Sequence, residues 1–280
     1  PSGQRPFLRR GYRRGPDALP DPGSRHHHGG PSCGAGGDWA QQGPGDPPYV
    51  EDSTTLASLN DPANPRPAEN EYVEVKGVVI TGVDAYDETG TGQVGNLYVQ
   101  DVNVVPQAFS GITVYNPGFI PPDLRVVIGD VVDVRSPYLE FKGPASGPFE
   151  GGATLPELSG ATVKFRFESP GATVPKEITP DDLYEYESGR RWLGMLVTLK
   201  GVQLISDLSG TGRKSAQLRM TDMAGKDPGR IPRIQNSLYA IDKAGYELKA
   251  GETYDLTGVV QYFYSFSVNP RSADDIQPAQ

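Results

Sequence analysis

Histidine and cysteine are almost missing from this chain. One cysteine, Cys33, and three histidines, His26, His27 and His28, are all that its 280 residues contain, and all four lie near the N-terminal end. A single cysteine excludes an intrachain disulfide. From residue 34 onward neither type occurs, which excludes Ser–His and Cys–His nucleophilic catalysis and histidine-ligated metal chemistry there. Long apolar runs are absent too. No stretch approaches the roughly 20 apolar residues of a membrane-spanning helix, and the N-terminus lacks the apolar core of a signal peptide. Positive charge is scarce, with 26 Lys and Arg against 35 Asp and Glu and a net charge of −9. A field of that sign repels polyanions, so binding to a phosphate backbone requires a local basic groove.

The first fifty or so residues are dense in Gly, Pro and Arg and poor in aliphatic side chains. Such a composition buries too little apolar surface to offset the entropy of ordering, so residues 1–52 are expected to be a disordered tail. Within it, Ser32-Cys33-Gly34 and the polar, Gly-rich spacer that follows look like the start of a mature bacterial lipoprotein, although Arg and Pro rather than apolar residues come before. Two readings stand: lipidation at Cys33, or an ordinary exposed thiol. Three adjacent histidines in a floppy segment bind transition metals weakly at most, and no role is assigned to them.

What the chain does have is a repeat. Val73-Glu74-Val75-Lys76-Gly77-Val78 returns as Val197-Thr198-Leu199-Lys200-Gly201-Val202, and Gly90-Thr91-Gly92 as Gly210-Thr211-Gly212. Leu97-Tyr98-Val99-Gln100-Asp101 aligns with Leu218-Arg219-Met220-Thr221-Asp222, and Gly129–Val134 with Gly251–Leu256. A nearly constant offset of about 120 residues marks one unit duplicated in tandem. Alternating apolar residues make Tyr72–Val83 a strand, with Gly77 marking a bulge. Further strands are expected at Asn96–Gln100, Gly111–Tyr115 and Asp130–Val134, with Tyr138–Phe141 continuing or pairing beside the last. The segment 154–167 completes the unit. The short run Thr54–Leu59 is placed to pack on the first barrel.

About five short strands per unit, and little helical periodicity, predict an all-β fold of two tandem five-stranded OB-like barrels behind the disordered tail. An immunoglobulin-like sandwich is the alternative. The first barrel spans 53–168, a linker 169–191 and the second barrel 192–280.

Several of these segments resemble the OB-fold region of secreted bacterial nucleases, which in that family precedes an endonuclease/exonuclease/phosphatase catalytic domain. The resemblance rests on Gly77–Asp84, Asn96–Asp101 and Gly129–Val134 in the first unit. In the second it rests on Leu193–Leu199 and the close Pro270-Arg271-Ser272-Ala273-Asp274-Asp275-Ile276. It implies the barrel fold. The catalytic domain's acidic metal ligands and histidine have no counterpart among these residues, so nuclease activity is not carried over.

Two constellations invite chemistry. Asp84, Asp87 and Glu88 precede the turn Thr89-Gly90-Thr91-Gly92, and closely spaced carboxylates on a Gly-rich loop are oxygen ligands of the kind Ca²⁺ uses. Their spacing is not that of an EF-hand, and acidic residues in exposed turns are commonplace. Tyr98, Tyr115, Tyr138, Tyr262 and Tyr264 are strand aromatics of the sort on which barrels stack bases or sugars, although tyrosine also favours strands for packing alone. Arg219, with Arg125, Arg135, Arg166, Arg190 and Arg213, is a candidate for lining a basic strip, and scattered surface charge explains these residues equally well. The expectation is a non-catalytic extracytoplasmic binding protein without a cofactor, its partner a single-stranded nucleic acid, a glycan or a protein. The alternatives are a structural cell-surface module and an accessory region of a secreted nuclease.

Overall fold

Val73, Val75, Val78 and Ile80 pack into the core of the first half from one long strand, and Glu74, Val79 and Thr81 on the same strand are buried as well. The computed structural model describes residues 54–279 apart from 89, 91, 93, 103, 104, 121–124, 169–172, 244 and 246. The tail expected over 1–52, with Cys33 in it, lies outside the described residues.

The first sheet contains β1 (Tyr72–Val83), β2 (Leu97–Asp101), β3 (Gly111–Tyr115), β4 (Gly118–Ile120), β5 (Asp130–Phe141), β6 (Leu155–Ser159) and β7 (Thr162–Glu168). β1 pairs antiparallel with β2 and with β5, β2 with β3, and β5 with β6, while β3 and β6 run parallel. These pairings close a five-stranded barrel. β7 adds to β5, and β4 to β7. Residues 130–141 form one continuous strand, long enough to pair with both β1 and β6. A short helix, α1 (Leu56–Asn60), packs Leu56 and Leu59 into the barrel core. It is fixed by the Asp101 carboxylate, which accepts the Leu56 and Ala57 N–H groups at 3.1 Å each.

The second sheet contains β8 (Lys176–Ile178), β9 (Leu196–Gln203), β10 (Ser215–Gln217), β11 (Arg233–Gln235), β12 (Thr253–Phe263), β13 (Ser265–Asn269) and β14 (Ile276–Pro278). Its order is β10-β11-β13-β12-β9-β8, with β14 on β12. β11 and β13 are parallel. No continuous ladder joins β9 to β10. They meet at one bridge, Leu204 with Leu218, flanked by the bonds Ile205 N–H to Gln217 O at 2.9 Å and Arg219 N–H to Gln203 O at 2.8 Å.

Two sequence expectations change. The segment read as a linker carries β8, which pairs parallel with β9, and after it a 3-10 turn and the one-turn helix α2 (Tyr186–Gly189). Leu183 in this stretch is buried in the second core. The segment is therefore part of the second sheet's packing. The strand alignment also shifts by two residues. Ile80 faces Val99 across β1 and β2, whereas Leu204 faces Leu218. Since Leu204 follows Gly201 as Ile80 follows Gly77, Leu218 corresponds to Val99 rather than to Leu97.

The bulge expected at Gly77 is present. Pairing of β1 with β5 slips between Val75 and Val78, and Gly77 sits at φ +67°, a conformation that only glycine adopts readily. Its N–H donates to the Asp133 carboxylate at 2.9 Å. The second sheet does the same at Gly201, φ +56°, with Asp255 as acceptor at 2.8 Å.

The described residues belong to one compact unit, and the two sheets pack directly on each other. Tyr98 on β2 forms a buried cluster with Leu196, Leu238 and Val259 of the second half. The Leu196 N–H donates to the side-chain carbonyl of Gln100 at 3.0 Å. The backbones of the two halves come close at Gly194, where a Cβ would lie 2.5 Å from the Ile112 nitrogen. Among the described residues no helix is long and apolar enough to cross a membrane.

Candidate binding site

The six side chains expected to contact a ligand do not share a surface. Tyr98 is only 7% exposed, because the outer face of β2 is covered by the second half, and its hydroxyl accepts from Gln261 Nε2 at 2.8 Å. Burial pushes its ionisation well above the usual tyrosine range. Tyr138 is 1% exposed in the barrel core, and its hydroxyl donates to Glu140 at 2.5 Å. Burial withdraws both from ligand contact, which corrects the expectation for these two. Tyr115 is exposed at the end of β3. Arg219 is exposed and tied to Gln203, its Nε donating at 2.5 Å. Only Tyr262 and Tyr264 come together, packed at 5.0 and 5.4 Å between ring centres against Phe149.

Of the three carboxylates proposed as metal ligands, Glu88 and Asp87 are engaged by groups of the protein. Glu88 accepts from Arg213 Nε at 2.9 Å and Nη2 at 2.5 Å, across the junction of the two halves. Asp87 accepts the Gly90 and Gly92 N–H groups at 2.7 and 2.8 Å. Asp84 is half-buried with one carboxylate oxygen lacking a hydrogen-bond partner. Burial first, then the neighbouring Glu88, pushes its pKa up to about 7, while Arg213 opposes the shift. Among the described residues no three His, Cys, Asp or Glu side chains are grouped to hold a metal ion. The loop works as a contact between halves, which corrects the metal reading.

A different surface has the character of a site. Alternation along β10, β11, β12 and β13 sends Ala216, Ile234, Val260, Phe266 and Val268 into the second core. The residues between them line an open cleft of about 540 Å³. Its charge comes from Arg213 and Arg233, its hydrogen-bonding groups from Ser215, Gln235 and Gln261, and its ring from Phe263, which is 49% exposed. No carboxylate lines it. Arg213 follows the turn Gly210–Gly212 and is ion-paired with Glu88 at 2.5 Å, so Arg233, which enters no ion pair among the described residues, supplies the cleft's uncompensated positive charge. Arg233 Nε is buried without a hydrogen-bond partner. Gln235 is held by Ser237 and Ser267, both at 3.2 Å, and Gln261 by Tyr98. The amides are therefore pre-positioned by partners beneath the surface.

The sequence singled out Arg213 within its basic strip but missed Arg233, Gln235 and Phe263. Their signal was present as the polar half of an alternating pattern. It carried no mark of a site, because a single strand does not reveal its neighbours. No family model matches the chain, and no curated protein matches it.

Proposed function

We propose that this chain is a non-catalytic binding protein of two OB-like units, and that its ligand is an extended anionic strand, single-stranded nucleic acid, lying across the arginine cleft of the second sheet. One observation carries the reading. In a protein of net charge −9, the cleft collects two arginines, several neutral donors and an exposed ring, with no carboxylate in its lining. Arginine forks match phosphate oxygens, amides and hydroxyls suit base edges and sugar, and an exposed ring offers a stacking surface worth about 1–3 kcal/mol per base.

The two-unit reading is supported by corresponding strand pairs. Each half has a central parallel pair, β3 with β6 and β11 with β13, and an Asp-braced Gly bulge on its first long strand. The cleft then lies between the turn after the first strand of the second unit and its last hairpin. The resemblance to the barrel region of secreted nucleases agrees with a nucleic-acid ligand, and an extracytoplasmic location belongs to the same proposal.

Titration of the full chain with labelled single-stranded DNA at low and moderate salt tests it. Binding should weaken with salt at a slope of about 0.7 per phosphate contacted. Arg233→Ala should lower that slope, while Phe263→Ala should lower affinity at every salt concentration. Absence of binding at low salt would dismiss nucleic acid and leave a neutral glycan as the ligand for the same hydroxyl- and amide-lined face.

A further inference from the structure

Adjacent positions of β12 serve different cavities. Gln261 and Phe263 line the arginine cleft, whereas Tyr262, together with Tyr264 and Tyr186, lines a separate groove of about 500 Å³. This groove lies where the halves meet, a preferred place for small-molecule sites. Glu150 and the two residues near it come from the first half, and the segments at 185–187 and 227–230 come from the second.

Its rings are fixed. Tyr262 lies 5.3 Å from Tyr186, 5.0 Å from Phe149 and 4.8 Å from Phe266 between centroids, so its plane is set by aromatic contacts on several sides. The Tyr186 hydroxyl is bound to the backbone of Thr154, and the Tyr264 hydroxyl to the carbonyl of Gly147. The charge is opposite to that of the other cleft. Glu150, Glu185, Glu187 and Asp227 line it with one guanidinium, Arg230, which is committed to Glu185 at 2.5 Å. Glu150 and Glu187 enter no ion pair among the described residues.

Ring faces attract cations and also pack against methylene groups, and carboxylates accept from ammonium N–H groups. A compact hydrated metal ion has no use for three rings, and the carboxylates here are not grouped as a metal site. A neutral sugar would leave the charge of the walls unexplained. We propose that this groove binds a linear polyamine, its methylene segments on the tyrosine rings and its ammonium groups on the carboxylates of the two walls. The proposal does not depend on the nucleic-acid reading, because the two cavities share no lining residue.

Calorimetric titration of the full chain with spermidine at moderate salt tests it. The expected result is saturable 1:1 binding that quenches tyrosine fluorescence. The double variant Glu150→Gln/Glu187→Gln should weaken it about tenfold or more. Tyr264→Ala should weaken it independently, and Arg233→Ala in the other cleft should leave it unchanged. Glu150 and Glu187 are exposed, so the double carboxamide variant should melt as the parent does. Three results would overturn the proposal: no saturable binding, displacement of spermidine by Mg²⁺ at equal charge concentration, which would mean diffuse attraction only, or tighter binding of tetralysine than of spermidine, which would make the groove a docking surface for protein.

Discussion

The side-chain carbonyl of Gln100 accepts the backbone N–H of Leu196 at 3.0 Å, and both residues are buried between the halves. A strand of the first barrel thus satisfies a main-chain donor of the second sheet. A buried donor left unpaired costs about 1–3 kcal/mol. Gln100→Leu should lower the urea midpoint accordingly, with the whole chain still unfolding in one transition. Two separated transitions in the parent would show that the halves are energetically independent and that this contact couples nothing.

Tyr98 distinguishes burial from ligand contact. As a buried ring touching Leu196, Leu238 and Val259, its truncation to Ala should cost about 3 kcal/mol. Thermal melting of Tyr98→Ala measures this. A variant with the parent's melting temperature and a weakened ligand affinity would restore the surface role instead.

Proton linkage gives a further prediction. Burial raises Asp84 to about 7, and burial alone does the same for Glu157. A carboxyl raised on folding binds its proton more tightly in the native state, so stability falls as pH rises from about 4 to about 7 and levels off above that. Asp242 and Asp255 are lowered, first by hydrogen bonds from Lys214 and Lys200, and their small contributions disappear on the acid side. Maximum stability should therefore lie near pH 4, where the acid-side loss ends and the decline begins. Asp84→Asn with Glu157→Gln should flatten the decline between about pH 5 and 7, and an unchanged slope in denaturant titrations would dismiss these two groups as its source.

Gly201 tests the bulge. At φ +56° an alanine there is strained by about 1 kcal/mol or more, whereas asparagine tolerates the conformation better. Gly201→Ala should melt several degrees lower than Gly201→Asn. The equivalent pair at Gly77 should show the same order, and equal melting of both replacements would mean that the backbone relaxes without penalty.

Much of the fold was legible in the sequence. Alternation located β1, β2, β3 and the start of β5, Gly77 marked the first bulge, and Thr54–Leu59 was placed correctly against the barrel. The two-residue shift between Leu97 and Leu218 was not legible, because Leu-x-x-x-Asp matches in both segments while only strand partners fix register. Nor was the place of Tyr98. Its alternation correctly gave it the outer face of its own barrel but carried no information on what covers that face. Similarly, Asp84, Asp87 and Glu88 looked like a cation loop because the Arg213 that engages Glu88 lies 125 positions away in sequence.

The parallel pairing of β3 with β6, and the covering of β2 by Leu196, Leu238 and Val259, set an order for synthesis. While a ribosome has released only the first half, the barrel can close once β6 has emerged, but the Tyr98 ring and the Gln100 carbonyl still lack their neighbours. The nascent chain thus displays an apolar patch until residues near 260 emerge, and such patches recruit chaperones or other nascent chains. The first half is therefore a poor cassette for transplantation. Moved alone, it would carry an unfinished surface with it.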